Sequence, residues 1–289
     1  MPFKDENPTY RKPIVTWILI GLNVFVFVFL QGTADPGAEE VDFTLEWAAI
    51  PCEITSGEPL TLDEITATFE RGDFDACGVD LPDVPGNDPY LPDKFILSAA
   101  IFSMFLHAGF MHLGGNMLYL WIFGNNIEDR LGTIKFLLFY VLGGIVATAA
   151  HVFPDPNSTI PVVGASGAVA AVMGAYIVWY PDAPVRTFVV MFLKDFKAKW
   201  VLAFWFVSQF FIGSGSGVAW LAHVGGFVFG VAVALAIRVS KPLQKVCLTP
   251  DYRDIDHWDN TGGIGRGPYV TATRIGTNPP PPRPQDRRF

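Results

Sequence analysis

The sequence predicts an all-α membrane protein, a bundle of six transmembrane helices with a long outer first loop. Hydrophobic residues make up 51% of the 289 residues and charged residues only 17%, whereas a soluble domain carries about 25% charged residues. Five long stretches contain no Asp, Glu, Lys or Arg, namely 13–34, 95–127, 136–154, 156–181 and 200–237. This composition excludes an ordinary cytosolic enzyme. A net charge of −8 without a basic stripe excludes a nucleic-acid-binding protein, and three cysteines are too few for a disulfide-rich secreted module.

The lengths of the charge-free stretches predict where the chain crosses the bilayer, because one helical span needs roughly 20 apolar residues. The last stretch is too long for one crossing, and its Gly-Ser run at 213–217 divides it into spans at about 200–213 and 217–237. The second stretch is too short for two crossings. It predicts an apolar segment at the interface, 95–106, followed by a span at about 108–126. With one span in each remaining stretch, the total is six.

Basic residues predict the orientation, since they accumulate on the cytoplasmic side. With the N-terminus inside, 18 of the 20 Lys and Arg residues fall inside, and the outer loop 32–94 holds Arg71, Lys94 and 16 of the 28 acidic residues. We expect a bacterial inner membrane with both termini cytoplasmic, and a mitochondrial location stays open. A cleaved signal peptide in place of the first span would leave five spans and weaken this charge bias.

Three parts of the chain follow from these expectations. Residues 1–12 form a cytoplasmic N-tail, and residues 13–238 form the membrane domain with its outer loop. Residues 239–289 form a cytoplasmic tail. Because this tail is rich in Gly and Pro and poor in apolar residues, we expect it to be disordered.

Four polar residues lie near the outer ends of the three spans that run from outside to inside. His112 and Asn116 are in the second span, Ser166 is in the fourth and His223 is in the sixth. Such groups are costly inside a membrane and usually mark function or a helix contact. They should share a depth of roughly 5–15 Å below the outer surface. The sequence therefore predicts a polar site, assembled from three helices, that opens outward.

Small residues predict close contact between the fourth and sixth spans. Ser166 begins the row Ser166, Ala170 and Gly174, and His223 is followed by Gly226 and Gly230 on roughly the same face. Two such faces in contact would bring Ser166 within hydrogen-bonding reach of His223.

The chemistry that these residues can perform is nucleophilic catalysis. A serine becomes a nucleophile when a neighbouring base accepts its proton, and the developing oxyanion needs hydrogen-bond donors. Gly164 and Gly167 flank Ser166 at a flexible helix opening with free N–H groups. Asn116 and His112 can add side-chain donors. Because the spans contain no Asp or Glu to orient His223, the prediction is a Ser–His dyad.

The complete set of motifs resembles the rhomboid family of intramembrane serine proteases. The motifs are His112-Leu113-Gly114-Gly115-Asn116, Glu128-Asp129-Arg130-Leu131-Gly132, Gly164-Ala165-Ser166-Gly167 and Ala222-His223-Val224-Gly225-Gly226, with Gly230 following. Each motif alone is weak, but the set occurs in order and in the right spans. The resemblance implies a nucleophile at Ser166 and a general base at His223. It further implies an oxyanion hole made by Asn116, His112 and the Ser166 N–H, cleavage of transmembrane substrates near their outer ends, and no metal or cofactor.

Two departures from the family pattern are present. Some members have a Tyr that packs on the histidine at the position of Ala170, so something else must position His223. A Trp-Arg pair of the family's first loop is missing, which affects contacts of the loop with lipid and substrate.

Other readings stay open. The chain could be a catalytically silent relative that binds membrane helices, or a solute channel or transporter, although it has no internal repeat. Cys52 and Cys77 share the outer loop and could be bonded or free. The oligomeric state also stays open.

Overall fold

The computed structural model describes residues 2–7, 9–32, 38–82, 88–189, 192–212, 218–249 and 252, and within them the chain is mostly helical. The helices are α1 (Ile14–Phe25, continued by a π-helical turn, Val26–Leu30), α2 (Ala38–Trp47), α3 (Pro51–Ser56), α4 (Leu62–Phe69), α5 (Ile96–Phe102, followed by the 3-10 turn Ser103–Phe105), α6 (Phe110–Leu131), α7 (Thr133–Val152), α8 (Ser166–Trp179), α9 (Ala198–Gln209), α10 (Trp220–Val239) and α11 (Lys241–Cys247). The strands are β1 (Pro2–Asp5), β2 (Pro184–Val189) and β3 (Phe192–Lys197).

Helix length and apolarity identify the membrane-crossing candidates among the described residues. Helices α7 and α10 are each long and apolar enough to cross a membrane. A third candidate is the pair formed by Ile96–Phe105 and α6, whose two parts meet at 82°. This bend separates Ile96–Phe105 from α6, and the interfacial position of 95–106 stays a prediction. Helix α1 with its π-helical turn and helix α8 are apolar but shorter.

Helix α8 differs from a span that would fill the charge-free stretch 156–181, because it occupies only Ser166–Trp179 and begins at the helix opening predicted beside Gly164 and Gly167. The helix has 14 residues and therefore a length of about 21 Å. Pro156 and Pro161 lie in the segment before it, and a proline disfavours helical conformation in the residue that precedes it. Gly164 then adopts a φ of +119°. The helix consequently begins at Ser166.

A three-stranded antiparallel sheet, in the order β1-β2-β3, is a second difference from the all-α prediction. Strands β2 and β3 form a hairpin in the connection between α8 and α9, where the all-α prediction has no strand. Strand β1 adds the N-tail to this hairpin, with Pro2 opposite Thr187 and Asp5 opposite Val185. Asp5 is buried, and its Oδ2 accepts hydrogen bonds from Asn126 Nδ2 at 2.5 Å and from Tyr176 Oη at 2.9 Å.

The carboxylates at the end of α6 hold both tails of the chain. Glu128 accepts hydrogen bonds from the first turn of α1, and Asp129 accepts them from the N-tail and from Tyr252 Oη at 2.7 Å. Further donors are the Thr16 hydroxyl, at 2.8 Å, and the backbone N–H groups of Tyr10, Arg11, Val15 and Thr16, at 2.8–3.0 Å. The next residue, Arg130, lies over the ring of Trp179 at 4.9 Å. The end of α6 is therefore a structural clamp.

The expected disorder of residues 239–289 is wrong for its first part. Residues 241–247 form α11, and the N–H of Thr249 donates to the carbonyl of Arg130 at 2.9 Å. This first part is ordered because it packs against the end of α6. Apart from Tyr252, the remainder of the tail lies outside the described residues, as does the Gly-Ser run at 213–217.

The long first loop has a small core of its own around helices α2, α3 and α4. Cys52 and Cys77 form a disulfide, with a Cα–Cα distance of 5.6 Å. Lys94 Nζ forms a buried ion pair with Glu53, in which burial lowers the pKa of Lys94 and raises that of Glu53. Backbone hydrogen bonds such as Cys52 N to Ser158 O, at 2.9 Å, tie the loop to the connection between α7 and α8.

Candidate active site

Ser166 is the first residue of α8, and the backbone before it is non-helical. The N–H of Gly164 donates to the carbonyl of Ser103 at 2.9 Å, which holds the turn against the end of α5. A Cβ at Gly164 would lie 2.7 Å from His112 Cε1, in a left-handed conformation that other residues rarely adopt. The first N–H groups of a helix have no partner within the helix. The opening of α8 therefore presents free backbone donors beside the Ser166 hydroxyl.

His112 and Asn116 lie on the face of α6 that contacts this opening. A Cβ atom added at Gly164 would lie 2.8 Å from His112 Nε2 and 3.6 Å from Asn116 Nδ2. Asn116 is buried, and its Nδ2 has no hydrogen-bond partner among the described residues. The Nδ1 of His112 accepts a hydrogen bond from the N–H of Ala108 at 3.4 Å, which assigns the proton of a neutral ring to Nε2. Two side-chain donors thus converge on the residue two positions before Ser166.

Helices α8 and α10 touch through their backbones, as their small residues predict. A Cβ at Gly226 would overlap the carbonyl of Gly167, and a Cβ at Gly230 would overlap the carbonyl of Ala171. A Cβ at Gly167 would lie 3.7 Å from the carbonyl of Ala222. Since Ser166 precedes Gly167 and His223 follows Ala222, this contact sets the two residues at the same level of the bundle.

The structure brings Ser166 and His223 to one level but does not join them by a hydrogen bond. Both residues are described, both are half-buried, and no hydrogen bond of 3.5 Å or less links their side chains. In enzymes without substrate, catalytic hydrogen bonds are often long and shorten when the substrate binds. The roles of nucleophile for Ser166 and general base for His223 stay predictions.

Gln209, the last residue of α9, contacts the candidate histidine, and the sequence analysis does not name it. Its Oε1 lies 2.7 Å from His223 Nδ1. The ring of Trp205 also packs beside His223, with 5.9 Å between ring centroids. Gln209 and Trp205 are therefore the side chains of α9 that contact His223. The available signal was an amide side chain inside a charge-free apolar stretch.

One group of metal-ligand type is present among the described residues, formed by Cys52, Glu64 and Cys77. Its two sulfur atoms are bonded to each other. The Glu64 carboxylate accepts hydrogen bonds from the N–H groups of Gly78 at 2.6 Å and Thr61 at 2.8 Å, the second as part of the capping box of α4. This group is therefore a structural part of the first loop.

Comparison with known proteins agrees with the motifs. Residues 96–240, about half of the chain, match the Rhomboid domain family. Rhomboid protein 1, mitochondrial, of Saccharomyces cerevisiae is 30% identical over 165 residues, covering 54% of this chain and 45% of that protein. Rhomboid protease GlpG of Yersinia pestis is 30% identical over 131 residues, covering 45% of this chain and 44% of that protein. Rhomboid protease GluP of Bacillus subtilis is 32% identical over 136 residues, covering 47% of this chain and 25% of that protein.

The matched region contains all three helices that carry the candidate site. This chain aligns with less than half of the length of each of these relatives. The family match nevertheless covers α6, α8 and α10 from end to end. This protein therefore belongs to the rhomboid family, an integral membrane family that includes serine proteases.

Proposed function

We propose that this protein is an intramembrane serine endopeptidase that cleaves transmembrane helices of membrane proteins near their outer ends. The observation that carries the proposal is the convergence of three helices at the opening of α8. Ser166 stands there with free backbone donors, the unpartnered amide of Asn116 lies on one side and His223 is at the same level on the other. The proposed chemistry uses side chains and water alone.

The proposed reaction has two steps. In the first, Ser166 Oγ attacks the scissile carbonyl carbon while His223 Nε2 accepts the hydroxyl proton. The oxyanion forms hydrogen bonds with the Ser166 N–H, Asn116 Nδ2 and His112 Nε2. His223 then returns the proton to the departing amine, which leaves an acyl-enzyme. In the second step, His223 takes a proton from water and the hydroxide attacks the acyl carbon. His223 then returns the proton to Ser166 Oγ as the ester bond breaks, and the second fragment leaves as a carboxylic acid.

The substrate must unwind near the site, because a peptide bond inside a helix is shielded by the turns around it. We expect substrates to be single-pass membrane proteins with Gly, Pro or other helix-weakening residues near the cleaved bond. The short helix α8 supports this geometry. Its opening is preceded by non-helical backbone, which membrane proteins tolerate only where it is covered by protein or lines a water-filled cavity.

A six-span topology is part of the proposal, and contacts among the chain's connecting segments support it. The sheet joins residues 2–5 to residues 184–197. Asp129 binds the N-tail and Tyr252, and Arg130 binds Thr249. Segments in contact must lie on one side of the membrane, so the chain crosses an even number of times between them. The helix pairs α1 with α6, α7 with α8, and α9 with α10 satisfy this requirement.

The proposed location is a bacterial inner membrane, with both termini and the hairpin in the cytoplasm. The basic residues of the N-tail 1–12, the hairpin and the tail from 239 lie on this side, and the acidic first loop lies on the other. In a mitochondrial membrane, as the name of the yeast relative would suggest, the same charge asymmetry would place the termini in the matrix. The membrane domain of the proposal spans residues 13–238.

A silent relative that binds membrane helices without cutting them is the second candidate. The observation that favours it is that no hydrogen bond joins the described side chains of Ser166 and His223. The two candidates differ in one measurable property, the reactivity of the Ser166 hydroxyl.

Labelling by a fluorophosphonate probe tests that property in detergent-solubilised protein. We expect the parent chain to be labelled, and Ser166→Ala and His223→Ala to lose labelling. The matched control is Ser98→Ala, whose hydroxyl bonds only to the local carbonyl of Phe95 at 2.8 Å and which should be labelled like the parent. Absence of labelling in a folded parent would contradict the protease proposal and favour the helix-binding candidate.

A further inference from the structure

Gln209 is a buried amide at the end of α9, 4% exposed, in a stretch of apolar residues. A polar group in such surroundings is costly unless its hydrogen bonds are made. Both polar atoms of its side chain have hydrogen-bond partners, Nε2 within α9 and Oε1 on α10. The side chain therefore has a defined orientation.

Two hydrogen bonds determine which end of the amide faces His223. Gln209 Nε2 donates to the carbonyl of Trp205 at 3.0 Å and to Ser208 Oγ at 3.2 Å. The carbonyl has no hydrogen to donate. The Ser208 hydroxyl already donates to that same carbonyl at 2.6 Å, so its oxygen is left to accept. The NH₂ end must therefore point back along α9, and the oxygen Oε1 must point at His223.

This orientation dictates the tautomer of His223. An amide oxygen only accepts hydrogen bonds, so His223 Nδ1, at 2.7 Å, must carry the proton. In a neutral ring the other nitrogen, Nε2, then has the free lone pair. A general base that serves a serine needs this tautomer, with the lone pair on the nitrogen that faces the hydroxyl.

We propose that Gln209 is a positioning residue that holds His223 in the tautomer with the proton on Nδ1 and directs Nε2 toward Ser166. The inference rests on the proposed protease function, and it adds a third, uncharged member to the Ser–His pair. An amide can fill this role inside a membrane because it orients the ring without the cost of burying a carboxylate. When His223 accepts the serine proton, the dipole of the Gln209 carbonyl also stabilises the ring cation.

Substitution of Gln209 separates a positioning role from a structural one. Gln209→Met keeps the length of the side chain but removes the acceptor, and we expect kcat on a transmembrane reporter substrate to fall about 10- to 100-fold with KM unchanged. Burial favours the neutral acid in Gln209→Glu. Its hydroxyl can then donate to the Trp205 carbonyl and its carbonyl oxygen can accept from His223 Nδ1, so this variant should recover most of that loss. The matched control is Gln244→Met in α11, which removes a hydrogen bond to the Arg238 carbonyl far from the site and should leave kcat unchanged.

Nitrogen-15 NMR of labelled histidine reads the tautomer without any catalysis. Signals of His223, assigned from their loss in His223→Ala, should show the proton on Nδ1 in the parent and a mixture of tautomers in Gln209→Met. An unchanged tautomer or unchanged kcat in folded Gln209→Met would overturn the inference. An equal loss of kcat in the Met and Glu variants would do the same, since it indicates a packing role. A parent that shows the Nδ1 tautomer but cleaves nothing would reject the protease function and retain the geometry.

Discussion

Asn116 offers the sharpest test of catalysis at the scale of single residues. Its buried Nδ2 has no partner among the described residues, so its removal costs little stability, whereas the loss of an oxyanion donor typically lowers kcat by about 10²–10³. We therefore expect Asn116→Ala to reduce kcat by that factor with an unchanged thermal unfolding midpoint. Both quantities are measurable in detergent with a reporter substrate.

The control for this substitution is Asn126→Ala on the same helix. Asn126 Nδ2 donates to Asp5 at 2.5 Å, and its Oδ1 accepts from Asn7 at 2.7 Å. Its removal should lower the unfolding midpoint with a much smaller effect on kcat. Similar losses of kcat in the two variants would contradict the oxyanion role of Asn116.

The residues of the site differ in how far the sequence could predict them. His112 and Asn116 are separated by one helical turn, and Ser166 and His223 each sit in a run of small residues, so local patterns indicate them. Gln209 lies on a different helix from His223, and intramembrane glutamines often only bridge helices. The packing of α9 against α10 determines whether the oxygen or the nitrogen of the Gln209 amide faces His223. No local sequence pattern predicts this packing.

At the scale of elements, the contact between α8 and α10 depends on glycine. A Cβ at Gly230 would overlap the carbonyl of Ala171, so the two helices would have to separate. We expect Gly230→Ala to lower the unfolding free energy by roughly 1–3 kcal/mol and to reduce kcat by moving Ser166 away from His223. Thermal unfolding and reporter cleavage check the two effects.

The matched control is Gly21→Ala in α1, an exposed helical glycine with nothing within 4 Å of an added Cβ. It should retain the stability and kcat of the parent. If Gly230→Ala behaves in the same way, the close approach of the two backbones is not needed for activity.

Hydropathy predicted the approximate positions of the apolar helices, because only segments without charged side chains lie readily in the hydrocarbon core of the bilayer. It could not predict where α8 begins, since the apolar count ignores the prolines and Gly164 that interrupt the helix. The β2–β3 hairpin carries a local signal in Val185-Arg186-Thr187-Phe188-Val189, which is rich in β-branched and aromatic residues. Strand β1, the third strand of the sheet, comes from the N-tail and has no such local signal.

At the scale of the whole molecule, docking of the N-tail makes stability depend on pH. Burial raises the pKa of Asp5 to about 7, although hydrogen bonds from Tyr176 and Asn126 oppose the rise. The folded state therefore binds the proton more tightly than the unfolded state, whose carboxyl has a pKa of about 3.9. The contribution of Asp5 to the free energy of unfolding is therefore fully present at low pH, and it is lost as the pH rises from about 4 to 7.

Asp5→Asn should remove this dependence while keeping an acceptor oxygen. The stability of the variant relative to the parent should increase by roughly 2–4 kcal/mol between pH 4 and pH 8. Unfolding midpoints across this range provide the measurement. Asp195→Asn, an exposed change on β3, should follow the parent curve, and a parallel curve for Asp5→Asn would show that Asp5 does not titrate in the folded range.

The pairing of β1 with β2 also determines when the sheet can form during biosynthesis. Residues 2–5 leave the ribosome before residues 184–189, with a delay of roughly 10–40 s at ordinary rates of translation. During that interval Asp5 has neither Tyr176 nor the hairpin to bind, so it stays hydrated and charged. Joining two segments so far apart in the sequence carries a large loop-closure entropy. Residues 2–5 therefore reach their place in the sheet only after the apolar helices α1 and α5 to α8 have followed them.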